Sequence, residues 1–312
     1  MVERISDLLK RNTGLNFESE LQLIPIGAGG AQVFSVEDKY IVKYVHFAEH
    51  DIGTTKGYKK EFSFYKACAN KPFAFLPDII FQTISDDEML IVMKKYTPIR
   101  YNEWNEDLQK RAMELCAIIN SVQLTSLSEV LDEPEKNNGN DPNDPYPLSV
   151  SFDNWTKLHN KYPTHIHADL LKDMYGNYNI LDSLSNELEI PQTLSHGDFH
   201  PENFLRNGDE LIVCDWQGVC VGRGIGDVAF FISRGTDMGI LMDRDKLIGH
   251  YHNALMKYAN VNTDLSVLHK HIALSEFGIS FRFWAQYLQE ADLEKVLGIY
   301  IAMSDAYKFL ME

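Results

Sequence analysis

A chain of 312 residues, 45% of them hydrophobic, can bury one large domain or two lobes sharing a core, which excludes a disordered or fibrous class. Its 29 lysines and arginines face 45 aspartates and glutamates, a formal charge of −16, the wrong balance for a general binder of nucleic acid or anionic membrane. Cys68, Cys116, Cys214 and Cys220 form no CxxC pair and no metal-ligand spacing, so they read as reduced, mostly buried thiols. With neither a signal-peptide core nor an apolar run of membrane length, a soluble cytoplasmic protein is expected.

In chain order, residues 1–11 interleave charge with apolar residues at helical spacing. Residues 21–26 are a short apolar run ending in Gly27-Ala-Gly29-Gly30, and residues 32–36 resume β-type residues, which predicts strand, glycine turn, strand. A third strand is expected over 40–45. Residues 59–69 have helical periodicity, with Phe62, Phe64, Tyr65 and Cys68 on the apolar side. Two more strands, 79–84 and 89–93, flank an acidic turn at 85–88. After Tyr96 the pattern turns helical, beginning with an amphipathic stretch over 103–124. Residues 132–149 hold prolines among Asn, Asp and Gly and read as a solvated loop. Helices are predicted at 152–161 and 166–185, short strands before His196 and over 211–214, and helices over most of 226–310. No internal repeat is seen.

Charge divides the chain in the same place. Residues 1–96 carry 12 basic against 13 acidic side chains, and the remainder carries 17 against 32. The simplest architecture is a strand-rich lobe over residues 1–95 and a mainly helical lobe over residues 96–312.

The chemistry is concentrated in His196-Gly-Asp198-Phe-His200-Pro-Glu-Asn203, followed after a strand by Asp215-Trp-Gln217. Phosphoryl transfer needs a carboxylate beside the attacking hydroxyl and oxygen ligands that hold magnesium against the triphosphate. Asp198, Asn203 and Asp215 have those identities, and their spacing lines up with the H-R-D-L-x-x-x-N signature and its following Asp. Lys43 sits mid-strand between apolar neighbours. Either it finds an acidic partner such as Glu61 on the next helix, with Glu49 as the alternative, or it points to water from an edge strand. The glycine turn departs from G-x-G-x-x-G, and no G-x-x-x-x-G-K-[ST] occurs, so a Walker-type site is excluded.

These residues resemble the aminoglycoside phosphotransferase and choline kinase family, small-molecule kinases with a protein-kinase-like fold. The likeness is carried by His196 to Asn203 and Asp215 to Gln217, and by Gly226-Asp227-Val-Ala-Phe-Phe231, where the family has a structural Asp before a helix. It extends more weakly back to Leu21. The resemblance implies an α+β, bilobal protein-kinase-like fold with a small β-rich N-lobe and a larger, mainly helical C-lobe. It implies ATP or GTP and Mg2+ as cofactors, Asp198 as catalytic base, and Asn203 and Asp215 as metal ligands. The Lys43–Glu61 pair would hold the α and β phosphates, Gly27, Gly29 and Gly30 would let the backbone approach them, and the segment from Met93 to Tyr96 would bind the purine.

Gly197 replaces the arginine of the protein-kinase motif, and the segment from Asp215 to Asp227 is short and lacks Ala-Pro-Glu. A small-molecule hydroxyl acceptor is therefore expected, such as an aminoglycoside, amino alcohol or sugar, with no nucleic-acid or membrane partner. A nucleotide-binding regulator without turnover and a protein kinase are the alternatives. His200 reads either as a γ-phosphate contact or as a satisfied loop histidine. The acidic C-terminal part favours a cationic acceptor by field focusing, and surface solubility explains it equally well. Glu276, Ser280, Phe283, Trp284 and Tyr287 recur at helical spacing, as a cradle for an ammonium group or as core packing.

Overall fold

The computed structural model describes residues 2–13, 21–25, 30–71, 73–131, 147–188, 190–259, 261 and 263–312. Gly27 and Gly29 lie outside the described residues, as do residues 132–146 of the segment read as a loop.

After α1 (Val2–Thr13), strands β1 (Gln22–Ile24), β2 (Gln32–Val36) and β3 (Tyr40–His46) lead into helix α2 (Ile52–Cys68) and strands β4 (Ile79–Ile84) and β5 (Glu88–Lys94). The strands form one antiparallel sheet in the order β1-β2-β3-β5-β4. Side chains alternate between the faces of a strand. On β3, Val42 and Tyr44 therefore join Phe34, Leu90 and Val92 against Ile5 and Leu9 of α1. Val45 turns the other way, with Met89 and Ile91, onto Tyr58, Phe62, Phe64 and Tyr65 of α2. Lys43 shares the parity of Val45, so its ammonium is carried to the α2 side.

Helix α2 starts seven residues before the predicted 59. Asp51 caps it, accepting a hydrogen bond from Thr54 N at 3.0 Å. The first turns, Ile52-Gly-Thr-Thr-Lys-Gly57, hold weak helix formers that hid this start.

Strand β6 (Thr97–Pro98) leaves the sheet and pairs with Leu205 and Arg206. Helix α3 (Glu106–Asn120), capped by Asn105, is shorter than the predicted 103–124 because tight turns at Tyr101–Glu103 and Leu124–Ser126 replace its ends. Then follow α4 (Leu148–Lys161), α5 (Ala168–Glu187), β7 (Thr193–Ser195), β8 (Phe204–Asn207), β9 (Glu210–Val213) and β10 (Cys220–Gly222). Helix α4 begins at Leu148, so positions 148 and 149 are helical where a loop is expected. The chain finishes with α6 (Ile225–Asp237), α7 (Arg244–Tyr258) and α8 (Leu265–Gly278). Beyond a π-turn at Ile279–Trp284 come the short α9 (Ala285–Tyr287) and α10 (Leu293–Met311). Strands β6, β8 and β9 make a small sheet, and β7 pairs with β10. The result is the expected α+β bilobal architecture. Among the described residues no helix is long and apolar enough to cross a membrane.

One apolar core runs without a break from the α2 face of the sheet through α3 to α6 and α7, and a second fills the space among α4, α5, α8 and α10. Trp216 lies in the first. It is fully buried, stacks on Phe64 of α2 at 4.6 Å, and donates its indole N–H to Val213 O at 2.9 Å. It thus ties α2 to the segment that follows β9. Trp216→Ala should cost about 3–5 kcal/mol in urea unfolding, and Trp216→Phe distinctly less because the stacking is retained. Equal losses would deny that the ring stack matters.

Candidate active site

The loop after β7 is held through its backbone. Gly197 has φ +79°, and a Cβ there would stand 2.1 Å from Gly218 O, so neither the backbone angle nor the space admits a side chain. In this loop an arginine before Asp198 would clash with Gly218. Asp227, in the first turn of α6 and 4% exposed, accepts the N–H groups of His196 at 2.8 Å and Gly197 at 2.9 Å. Burial pushes its carboxyl up to about 7, with the two N–H bonds acting against that rise. The expected structural aspartate is thus where the sequence puts it.

His196 is fully buried. Its Nε2 donates to Cys214 O at 3.0 Å, and its Nδ1 accepts the Asp198 N–H at 3.2 Å, which together define one neutral tautomer. Burial brings its pKa down to about 4.

Cys214 staples the loop to the end of β9. Its N–H donates to Asn203 O at 3.0 Å, while its own carbonyl receives His196. Burial pushes the Cys214 thiol up to about 12, helped by the charge of Asp215. The next residue, Asp215, is left-handed, with φ 64° and ψ 62°, a sparsely populated conformation for a residue with a Cβ. Asn203 Nδ2 donates to Asp198 O at 2.8 Å and lies 3.3 Å from Asp198 Oδ2. Asp198, Asn203 and Asp215 are thereby brought together from two segments.

Lys43 reaches the same place from β3. Its Nζ donates to Glu61 Oε2 at 2.7 Å and to Asp215 Oδ1 at 2.9 Å, and it lies 5.3 Å from the centre of the Tyr58 ring. The alternative partner, Glu49, sits instead 3.9 Å from His46 at the surface. Burial alone would strip the proton from Lys43, but Glu61 and Asp215 outweigh it and raise its pKa. Burial raises Glu61, with Lys43 opposing. Asp215 is pushed upward by burial, yet Lys43 and the Gln217 amide, 2.6 Å away, hold its carboxyl below the usual range.

The oxygens present suit a hard divalent cation. Asn203 turns its amide nitrogen to the loop, which leaves Oδ1 as its outward atom, and Lys43 and Gln217 both engage Oδ1 of Asp215, leaving Oδ2. Among the described residues, no group of three or more His, Cys, Asp or Glu forms a ready metal cage. Two protein oxygens are what a magnesium ion carried in on phosphates requires.

Of the remaining candidates, Gly30 has φ +79° and faces the His50 ring. Met93 is buried where β5 lies between β3 and β4. The Tyr96 hydroxyl accepts from Asp78 N at 2.9 Å, so this side chain braces the segment after β5. His200 lies between two carboxylates, Nε2 3.6 Å from Asp198 Oδ2 and Nδ1 3.6 Å from Glu202. Sequence reasoning gave no role to Cys214, Gln217 or Tyr58. Gln217 stood inside the quoted motif, and Tyr58 lies one turn before Glu61 on a helix read as starting after it.

A cleft of about 930 Å³ opens between α6, α8 and α10, lined from Ile232 onward and by no residue of the loop itself. Arg234 of α6 joins it to the loop, pairing with Glu202 at 3.0 Å and with Asp237, on the cleft wall, at 2.9 Å.

A model described as the phosphotransferase enzyme family matches residues 23–252. No curated protein sequence matches the chain. Among solved structures, the GDP complex of wild-type aminoglycoside 2'-phosphotransferase-IIIa superposes with a TM-score of 0.61 at 12% identity, covering 99% of each chain. The streptomycin–ATP ternary complex of APH(2")-IIa gives 0.57 at 16% identity, over 99% of this chain and 96% of that one. A Plasmodium vivax ethanolamine kinase gives 0.56 at 14% identity, over 98% and 93%. At such identities the likeness is one of fold.

The lowered pKa of His196 has a signed consequence. Between about pH 4 and 6.5 the unfolded chain takes up a proton that the folded chain refuses, so the residue's contribution is complete above 6.5 and is lost on acidification. The stability advantage of the wild type over His196→Asn should shrink by roughly 2 kcal/mol between pH 7 and pH 5 in urea unfolding. An advantage that stays constant or grows would contradict a buried, neutral ring.

Proposed function

The chain belongs to the phosphotransferase enzyme family, and on that premise we propose that it transfers the γ-phosphate of ATP or GTP to a hydroxyl of a small molecule. One observation carries the reading: a single buried ammonium, Lys43, binds Glu61 of α2 and Asp215 at once, and Asp215 is stapled through Cys214 to the loop bearing Asp198 and Asn203. This arrangement serves positioning and charge neutralisation, which dominate phosphoryl transfer. That the structural neighbours were solved with GDP, with ATP and streptomycin, or as an ethanolamine kinase supports the same reading.

In the proposed reaction, residues 1–95 form the nucleotide-binding lobe, with Gly27, Gly29 and Gly30 against the phosphates and the backbone from Met93 to Tyr96 against the purine. Residues 96–312 form the catalytic and acceptor-binding lobe. Lys43, aligned by Glu61, neutralises the α and β phosphates. Asn203 and Asp215 would hold Mg2+, which would supply charge neutralisation for the phosphates. Asp198 orients the acceptor hydroxyl for in-line attack. The acceptor O–H and the terminal phosphoanhydride O–P bonds break, a new O–P bond forms, the nucleoside diphosphate leaves, and Asp198 receives the proton. The acceptor occupies the cleft between α6, α8 and α10.

A protein substrate is disfavoured. The segment from Asp215 to Asp227 is tied down as a tight turn and β10, paired with β7, and Gly197 has no room for the arginine of a phosphorylation-gated loop. The need for nucleoside triphosphate, together with four free cysteines, fits a cytoplasmic setting.

A labelled ATP and GTP screen against grouped aminoglycosides, amino alcohols, macrolides and sugars tests the proposal. Asp198→Asn should lower transfer by roughly 10²–10⁴-fold while nucleotide binding, followed by thermal shift, persists. Transfer at near wild-type rate in that variant would remove Asp198 from its role, and nucleotide binding without transfer to any acceptor would favour a regulator.

A further inference from the structure

We propose that the acceptor is a bulky hydroxylated molecule with an apolar body and no net positive charge, an inference that rests on assigning the cleft between α6, α8 and α10 to the acceptor. The chain's acidity points elsewhere, toward a cation held by carboxylates. The pairing inside the cleft removes that attraction. Glu276, 17% exposed, is clamped by Arg244, whose Nε lies 3.0 and 3.2 Å from its two oxygens and whose Nη2 lies 3.0 Å from Oε2. Asp237, 9% exposed, is bound by Arg234 at 2.9 Å and by Lys295 at 2.9 Å. Arg234 shares its other amino group with Glu202.

The two inner carboxylates of the lining, Glu276 and Asp237, thus meet three resident cations, Arg244, Arg234 and Lys295. Such pairs, bidentate and partly withdrawn from water, are the strong kind of charge-assisted hydrogen bond. The aromatic position is taken as well, for Lys295 lies 5.4 Å from the centre of the Trp284 ring. The ammonium that Glu276 and Trp284 could cradle is therefore supplied by the chain itself. The other acidic side chains on the lining, Asp292, Glu294 and Asp305, are exposed to solvent; Asp292 caps α10 and Asp305 lies 3.6 Å from Lys308.

Behind the exposed acids of the rim, the inner wall offers a ligand hydrogen-bond donors and no unpaired carboxylate. Arg244 keeps its Nη1 donors, which face the exposed Asp245 only at 3.7 Å, and Lys295 has three N–H donors against one short carboxylate contact. Donors of this kind suit hydroxyl, carbonyl or carboxylate oxygens. Between them the wall is apolar, with Ile232, Met242, Ile299 and Phe309. Size excludes the other cationic class, because about 930 Å³ matches a drug-sized ligand and a two-carbon amino alcohol would leave most of it to water.

The test measures binding, so that it does not depend on turnover. The full chain is titrated by calorimetry with gentamicin, ethanolamine, an alkyl glucoside and an uncharged macrolactone aglycone, with and without Mg2+ and a non-hydrolysable ATP analogue. At least one neutral probe should bind at least about tenfold more tightly than either cation, with affinity changing less than about twofold between about 50 and about 300 mM salt. Arg244→Gln, which releases Glu276, should improve gentamicin binding by about tenfold or more. Tighter binding of gentamicin or ethanolamine by the wild type, failure of both neutral probes, or unchanged gentamicin affinity in a folded Arg244→Gln protein overturns the inference. Failure of the phosphotransfer reading shows separately, as absence of nucleotide binding or of transfer.

Discussion

A lysine ammonium buried at 8% exposure must have anions beside it, and the arrangement around Lys43 is the constraint from which much else follows. Its two carboxylates come from different parts of the chain, Glu61 from the helix under the sheet and Asp215 from beyond β9. To bring them together, β3 must present Lys43 on the α2 face, α2 must begin early enough to place Glu61 opposite it, and Asp215 must turn into a left-handed conformation. The stacking of Trp216 on Phe64 locks the last two together in the apolar core. Charge at Lys43 and packing at Trp216 join the two lobes side by side, and that is where phosphate is proposed to bind.

The loop bearing Asp198 depends on a different economy. Its geometry comes from backbone groups: two N–H donors aimed at Asp227, a histidine ring bridging Cys214 and Asp198, and two glycines in van der Waals contact. Of the side chains in the loop, Asn203 gives its amide nitrogen to Asp198 O and keeps Oδ1 for a ligand. Asp215, one of three non-glycine residues with positive φ among the described residues, lies at the junction of the two systems, and such backbone outliers cluster at functional sites.

Much of this was legible in the sequence, for reasons that differ by residue. His196, Asp198, Asn203 and Asp215 are close in sequence, and their chemistry constrains identity and spacing together. Lys43 was visible because a charge in an apolar strand requires an explanation, with Glu61 named as its partner and Glu49 as the alternative. Short pairings were not legible. The Phe204–Asn207 and Cys220–Gly222 strands are too brief for periodicity; the first is completed by its hairpin neighbour Glu210–Val213 and by Thr97–Pro98, the second by Thr193–Ser195. The start of α2 was lost to Gly53 and Gly57, whose low propensity is overridden by the Asp51 cap and by tertiary packing. The electrical character of the cleft was hidden most completely. Arg244 and Glu276 are 32 residues apart, and a count of charges cannot distinguish a free carboxylate from a clamped one.

Cys214 has a practical consequence for anyone seeking to block this protein. It sits at the centre of the site, one residue from Asp215, and would attract a chemist designing a warhead. Burial that pushes its thiol up to about 12 leaves almost no thiolate at neutral pH, and Cys68 and Cys220, each raised to about 11 by burial, are scarcely better nucleophiles. Alkylating electrophiles would find little to react with, so durable inhibition has to come from reversible occupancy and slow dissociation.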